Sequence, residues 1–160
     1  MLRRLLLTTN DPTLTVIRLV MGIIFFAHGA QKALGWFGGG GYSGTMTMFG
    51  HMGIPAPFAF LAICAELLGG LGLIVGLFGR IAAFGIMCNM VVAVAMLHVH
   101  QGFFMNWTGR QSGEGYEFHL LALALGFTIL VRGSGPLTVD HFLTRTRPAR
   151  IRGFGKHHAA

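Results

Sequence analysis

Between Arg80 and Arg110 the chain carries no aspartate, glutamate, lysine or arginine. As a helix rising 1.5 Å per residue, the apolar stretch 81–101 inside that interval is long enough to cross about 30 Å of hydrocarbon. Three further apolar stretches accompany it, at about 13–34, 57–78 and 116–131. A chain with four such segments is expected to be an all-α membrane protein, a four-transmembrane-helix bundle. Composition points the same way. Charged residues make up 11% of the 160 positions, against about 25% in soluble domains, and the mean hydropathy is +0.65. Disorder requires the opposite balance, and too few polar side chains remain to cover a water-soluble surface. Two cysteines do not make a disulfide scaffold.

The expected organisation is a single four-helix transmembrane domain over 1–142, followed by a basic tail over 143–160. The formal net charge of +7 raises the alternative of a nucleic-acid binder. The cations, however, form no stripe interleaved with aromatics. Arg132, Arg145, Arg147, Arg150, Arg152 and Lys156 all follow the last apolar run, as expected of a flank near anionic headgroups. The partner is therefore expected to be the lipid bilayer, with no nucleic acid. Arg3 and Arg4 precede the first span and Arg80 lies in the joint between the second and third, while Lys32 and Arg110 fall on the opposite side. The excess of positive charge places both termini in the cytoplasm, making 35–56 and 102–115 the outward loops. Arg18 interrupts the first span and no small-x-small cleavage site follows it, so the first span is expected to be a permanent helix rather than a signal peptide. Asn10 or Asp11 is positioned to cap it, with Pro12 in its first turn. The loop 35–56 contains four consecutive glycines, Gly38 to Gly41, and then a Met- and Phe-rich segment, 45–53, suited to a short interfacial helix.

Ionisable groups at membrane depth are costly and turn toward a bundle interior. Arg18 and Glu66 are the deepest two, and a depth difference of roughly 10 Å at 1.5 Å per residue leaves them within partial reach of each other. Their expected pairing either fixes helix packing or serves chemistry, with Glu66 as a proton carrier or a contact for a quinone-like ligand. A second polar set lies toward the outer side: His28, Gln31 and Lys32, then His98 and His100, then Glu117 and His119. His98 and His100 are two residues apart and face nearly opposite ways on a regular helix. Asn89, Ala93, Met96 and His100 share one face, so His100 is expected inward, and Glu117 likewise because a buried carboxylate needs a partner. No spacing demands a metal site, though Met46, Met48, His51 and Met52 offer soft ligands that would suit Cu(I). Gly72 and Gly76 have the G-x-x-x-G spacing that lets helices approach closely, inside the bundle or between subunits.

The ordered motifs resemble those of the DoxX family of small bacterial membrane proteins. The first is Arg18, Gly22, Phe26, His28, Gly29 and Lys32; the second is Glu66, Gly69, Gly70, Gly76 and Arg80; the last is Gly133, Gly135 and Asp140. The resemblance covers nearly the whole chain, about 13–142. It implies a four-helix bundle in the bacterial cell (inner) membrane, with both termini cytoplasmic. Relatives are linked to thiosulfate:quinone oxidoreduction and to membrane complexes that handle oxidative stress or sulfur. The function expected from residues and resemblance together is that of a membrane subunit associated with quinone-linked redox chemistry. Glu66 and Arg18 are its candidate reactive residues, and His28, Lys32, His100 and Glu117 its candidate ligand-binding ones. The chain shows no electron carrier of its own, so a quinone cofactor or a partner protein must supply one. A non-catalytic assembly subunit of a larger complex or homo-oligomer, and copper binding at the outer face, are the alternatives.

Overall fold

The computed structural model describes residues 5–145, except the Arg145 side chain. Arg3, Arg4, Arg147, Arg150, Arg152 and Lys156, which weighed in the charge count, lie outside the described residues. All the secondary structure of the described residues is helical, with no strand. Helix α1 spans Pro12–Leu34, α2 Gly41–His51, α3 Ala56–Val75, α4 Gly79–Ala93, α5 Glu117–Arg132 and α6 Val139–Arg145. A π turn, Val94–His98, and a 3-10 turn, Val99–Gln101, prolong α4.

Three of these helices, Pro12–Leu34, Ala56–Val75 and Gly79–Gln101, are long and apolar enough to cross a membrane. Helix α5 has 16 residues and is about 24 Å long, short of a full hydrocarbon thickness. The surface is that of a membrane protein. Val16, Val20, Ile23, Leu68, Phe84 and Phe127 are exposed while Arg18, Glu66 and His119 are buried, an arrangement that suits lipid rather than water.

Helix α1 starts where the sequence has a cap: Asp11 accepts from Thr13 N at 3.0 Å, and Pro12 occupies the first turn. It runs antiparallel to α3 in backbone contact. A Cβ on Gly29 would lie 2.3 Å from Leu67 N, one on Gly70 2.3 Å from Phe26 N, and one on Gly22 2.9 Å from Ile74 N. Only glycine fits at these crossings. The core is formed where α1, α3, α4 and α5 meet, by Met21, Phe25, Leu73, Ile86, Met90 and Ile129 with Ala83 and Ala122. Helix α3 ends at Gly76, whose φ of +74° is reached cheaply only without a side chain. Gly76 N and Leu77 N both donate to Gly72 O, and a Cβ on Gly76 would strike Thr138 at 2.5 Å. The Gly72–Gly76 spacing, expected to mark either an inner or an intersubunit face, thus serves helix termination and packing within the chain.

The two ends of the molecule differ. At one end Arg80 bonds Leu7 O and Leu130 O, Thr9 N donates to Arg132 O at 3.0 Å, and Arg132 meets Asp11 at 3.6 Å. Asp140, 1% exposed, accepts from Phe78 N, Gly79 N and Ser134 Oγ at 2.8, 3.1 and 2.7 Å. Its carboxylate closes the N-terminus of α4, where unpaired amides and the helix dipole favour an anion. The other end carries α2 and the loop 102–115. There Trp36, Phe37, Tyr42, Phe103, Phe104 and Trp107 are exposed, in the manner of an aromatic belt at a membrane interface.

Candidate functional site

The α1–α3 seam explains why the first motif has its spacing. Arg18, Gly22, Phe26, Gly29 and Lys32 recur every three or four residues and so fall on one stripe of α1. The glycines bring the two backbones together, and the two cations stand at opposite ends of the contact. Lys32 Nζ forms an ion pair with Glu66 Oε2 across the seam. Glu66 is 6% exposed. Thr45 Oγ1 of α2 donates to Lys32 O at 3.0 Å and ties the interfacial helix to the same spot.

The expected Arg18–Glu66 pair does not form. In the register that sets 22 against 74, 26 against 70 and 29 against 67, Arg18 faces the C-terminal end of α3. The carbonyls it reaches there lie seven and eight residues beyond Glu66, about 11 Å along the axis. Its guanidinium Nη1 donates to Leu73 O and, at 2.6 Å, to Ile74 O. These carbonyls belong to the last turn of a helix, where acceptors lack intrahelical donors and a cation is favoured. Arg18 is 2% exposed, and its Nε has no hydrogen-bond partner among the described residues. The two deep groups are therefore engaged by different neighbours.

The outer histidines also differ from expectation. His100 lies exposed on the 3-10 turn. His98 turns inward instead, its ring 4.1 Å from that of His119, with Nδ1 2.7 Å from Glu114 O. The cause is the π turn at Val94–His98. Its i→i+5 closure places more residues in the turn than an α-helix does and carries the α5-facing stripe of Ala83, Met87 and Met90 on to position 98. His119 is 7% exposed and its Nδ1 has no partner among the described residues. His28 is exposed, 6.4 Å from the Phe118 ring, which in turn lies edge-on to His119 at 5.7 Å. Glu117 is not turned to this cluster: its Oε1 accepts from Met105 N at 2.9 Å and Trp107 Nε1 at 3.2 Å, fixing the loop 102–115.

Of the six candidate residues, the structure joins Glu66 with Lys32, sets Arg18 at the far end of the same seam, and leaves His28, His100 and Glu117 outside that contact. Sequence reasoning missed the His98–His119 contact, because a π turn has no signature in a 3.6-residue periodicity. It also missed the role of Asp140, legible only as part of a terminal motif. Among the described residues no group of three or more His, Cys, Asp or Glu side chains is arranged to hold a metal ion.

An open groove of about 740 Å³ runs between α3 and α4. Its walls are apolar apart from Glu66, Asn89 and the thiols Cys64 and Cys88. Glu66, the carboxylate of the ion pair, thus lines this groove. A carboxylate held by an ammonium accepts hydrogen bonds from a group that enters the groove.

The DoxX family model matches residues 13–99, which includes α1, α3, α4 and the Lys32–Glu66 pair. A Bacillus subtilis (strain 168) protein named "Putative oxidoreductase CatD" is 29% identical over 128 residues, 80% of this chain and 84% of that protein. No solved structure matches.

Proposed function

The chain belongs to the DoxX family of membrane proteins, and on that premise we propose that it is a membrane subunit of quinone-linked redox chemistry. In this reading α5 joins the three long helices as a fourth crossing, and both termini face the cytoplasm of a bacterial inner membrane. Arg80 in the first turn of α4 and Arg132 at the end of α5 support that orientation by the positive-inside rule.

The observation that carries the proposal is the Lys32–Glu66 ion pair, buried at the α1–α3 seam and bordering an apolar groove. A structural ion pair needs no access route from the hydrocarbon, whereas a ligand site does. Glu66 receives or returns the proton that accompanies quinone reduction or quinol oxidation, and Lys32 holds its carboxylate in place. Arg18 keeps the end of α3 fixed and so acts on the site as a positioning residue. The oxidoreductase in the relative's name agrees with this assignment. Electrons are supplied or taken up by a partner protein, since the described residues include no cysteine cluster.

The test is the thermal unfolding of the purified protein with and without a short-chain benzoquinone, in both redox states. The wild type is expected to gain several degrees from at least one of the two forms, and Glu66→Gln to gain none. No shift in the wild type, or an equal shift in Glu66→Gln, contradicts the proposal and favours a non-catalytic assembly role.

A further inference from the structure

Two histidines meet at the α2 end of the molecule, apart from the α3–α4 groove. His98 closes the π turn that prolongs α4, and His119 lies in the first turn of α5. Their ring centroids are 4.1 Å apart, with the planes at 40°. His98 Nδ1 lies 2.7 Å from Glu114 O. A carbonyl only accepts, so this nitrogen bears a hydrogen, and the bond fastens the far end of the loop 102–115 to α4. His119 is 7% exposed, and its Nδ1 is buried without a partner among the described residues. A neutral ring can leave that nitrogen without a hydrogen, whereas an imidazolium carries a donor on both nitrogens. Charge on His119 would therefore bury an unpaired N–H and cost its full desolvation. Among the described residues, the ionisable groups that act on His119 are His98 and, from α1, His28, with no carboxylate to offset the charge. Glu114 and Glu117 are turned to the loop instead, accepting from Asn106 N at 2.7 Å and from Met105 N and Trp107 Nε1. Lys32, one turn beyond His28 on α1, is engaged by Glu66.

We infer that the His98–His119 contact is a pH-operated latch on the loop 102–115, closed while His119 is neutral and opened when it takes up a proton. Above the histidine range the two neutral rings pack, and His98 keeps its bond to Glu114 O. As the pH falls through that range, a proton on His119 Nδ1 has no acceptor in the buried position, and the ring must move out to reach water. A second charge on His98 would repel it from 4.1 Å away. Once the rings part, His98 is no longer held in place and the loop loses its attachment at Glu114. The π turn is the hinge, since its change of phase is what carries His98 to α5. The latch needs no redox partner and stands apart from the Lys32–Glu66 pair.

The test is hydrogen–deuterium exchange on the full chain in detergent, at about pH 7.5 and 5.5, on either side of the ordinary histidine titration. Rates are corrected for the intrinsic pH dependence of amide exchange. This window lies above the ordinary carboxylate range, so histidines are the side chains that change charge within it. In the wild type, protection of the 102–115 amides is expected to fall by about tenfold at the lower pH, the scale of one lost hydrogen bond. His119→Phe keeps an aromatic ring in the buried position with no charge to acquire, and is expected to retain the protection at both pH values. His98→Phe keeps a ring but cannot bond Glu114 O, and is expected to lack the protection at both. His100→Gln, at the exposed neighbour, is expected to respond as the wild type does. Equal protection at the two pH values in the wild type overturns the latch, as does an undiminished pH response in His119→Phe or His98→Phe. Loss of the response in His100→Gln would assign it to another histidine and overturns the latch too.

Discussion

Lys32 and Glu66 illustrate how unequal the two directions of a substitution are in a buried pair. Lys32→Met leaves the Glu66 carboxylate without its counter-charge, and the expected loss is about 3 kcal/mol. The double variant with Glu66→Leu is expected to recover most of it, so a double-mutant cycle read by unfolding shows strong coupling. Additive effects would mean that the pair contributes nothing. Arg18 behaves differently, because its partners are backbone carbonyls with no charge of their own. Arg18→Met is expected to cost about 1–3 kcal/mol for the carbonyls left bare at the end of α3, with no coupling to Glu66→Gln. Coupling between those two sites would contradict their separation along the seam, where the carbonyls that Arg18 reaches lie seven and eight residues beyond Glu66.

At the scale of the elements, the glycines divide into those the packing requires and those it does not. Gly29→Ala and Gly70→Ala each force a methyl into backbone at 2.3 Å, and each is expected to destabilise by about 1–3 kcal/mol. Gly44 and Gly50 of α2 have nothing within 4 Å of a built Cβ, and alanine there is expected to stabilise by about 0.5–1 kcal/mol. Thermal or denaturant unfolding of the four variants distinguishes the two pairs, and a reversed order would refute the α1–α3 seam.

This seam was partly legible in the sequence. The recurrence of Arg18, Gly22, Phe26, Gly29 and Lys32 marks one face, and the inward turn of Glu66 follows from the cost of a charge in lipid. Which residues meet across the seam was not legible, since periodicity defines a face and not an axial register. The register therefore gives Glu66 to Lys32, and Arg18 to the carbonyls at the end of α3. The outer cluster failed for a second reason: a π turn changes the phase of a helix, so extrapolating the Asn89–Ala93–Met96 face led to His100 when the chain brings His98 to His119. Glu117 failed for a third, since its partners are a backbone amide and an indole within the preceding loop's own fold.

On the scale of the whole molecule, an outward apolar surface and an inward polar seam describe a protein whose solvent is lipid. The aromatic side chains at the α2 end and the arginines at the other end give the two faces different chemistry, and that difference predicts topology. With Cys64 and Cys88 replaced by alanine, Tyr42→Cys and Trp107→Cys are expected to react with a membrane-impermeant thiol reagent from outside the cytoplasmic membrane. Thr144→Cys is expected to react only after the membrane is opened. Labelling of Thr144→Cys from outside would reverse the orientation.

The most direct measurement of the link between the buried pair and redox chemistry is an infrared difference spectrum of the protein in lipid vesicles, recorded as an added benzoquinone is reduced to its quinol. If the pair contacts the ligand, the wild type shows a carboxylate band that shifts on reduction, and Glu66→Gln lacks it. Identical difference spectra from the two proteins would show that Glu66 does not sense the ligand, and the ion pair would then be a packing device alone.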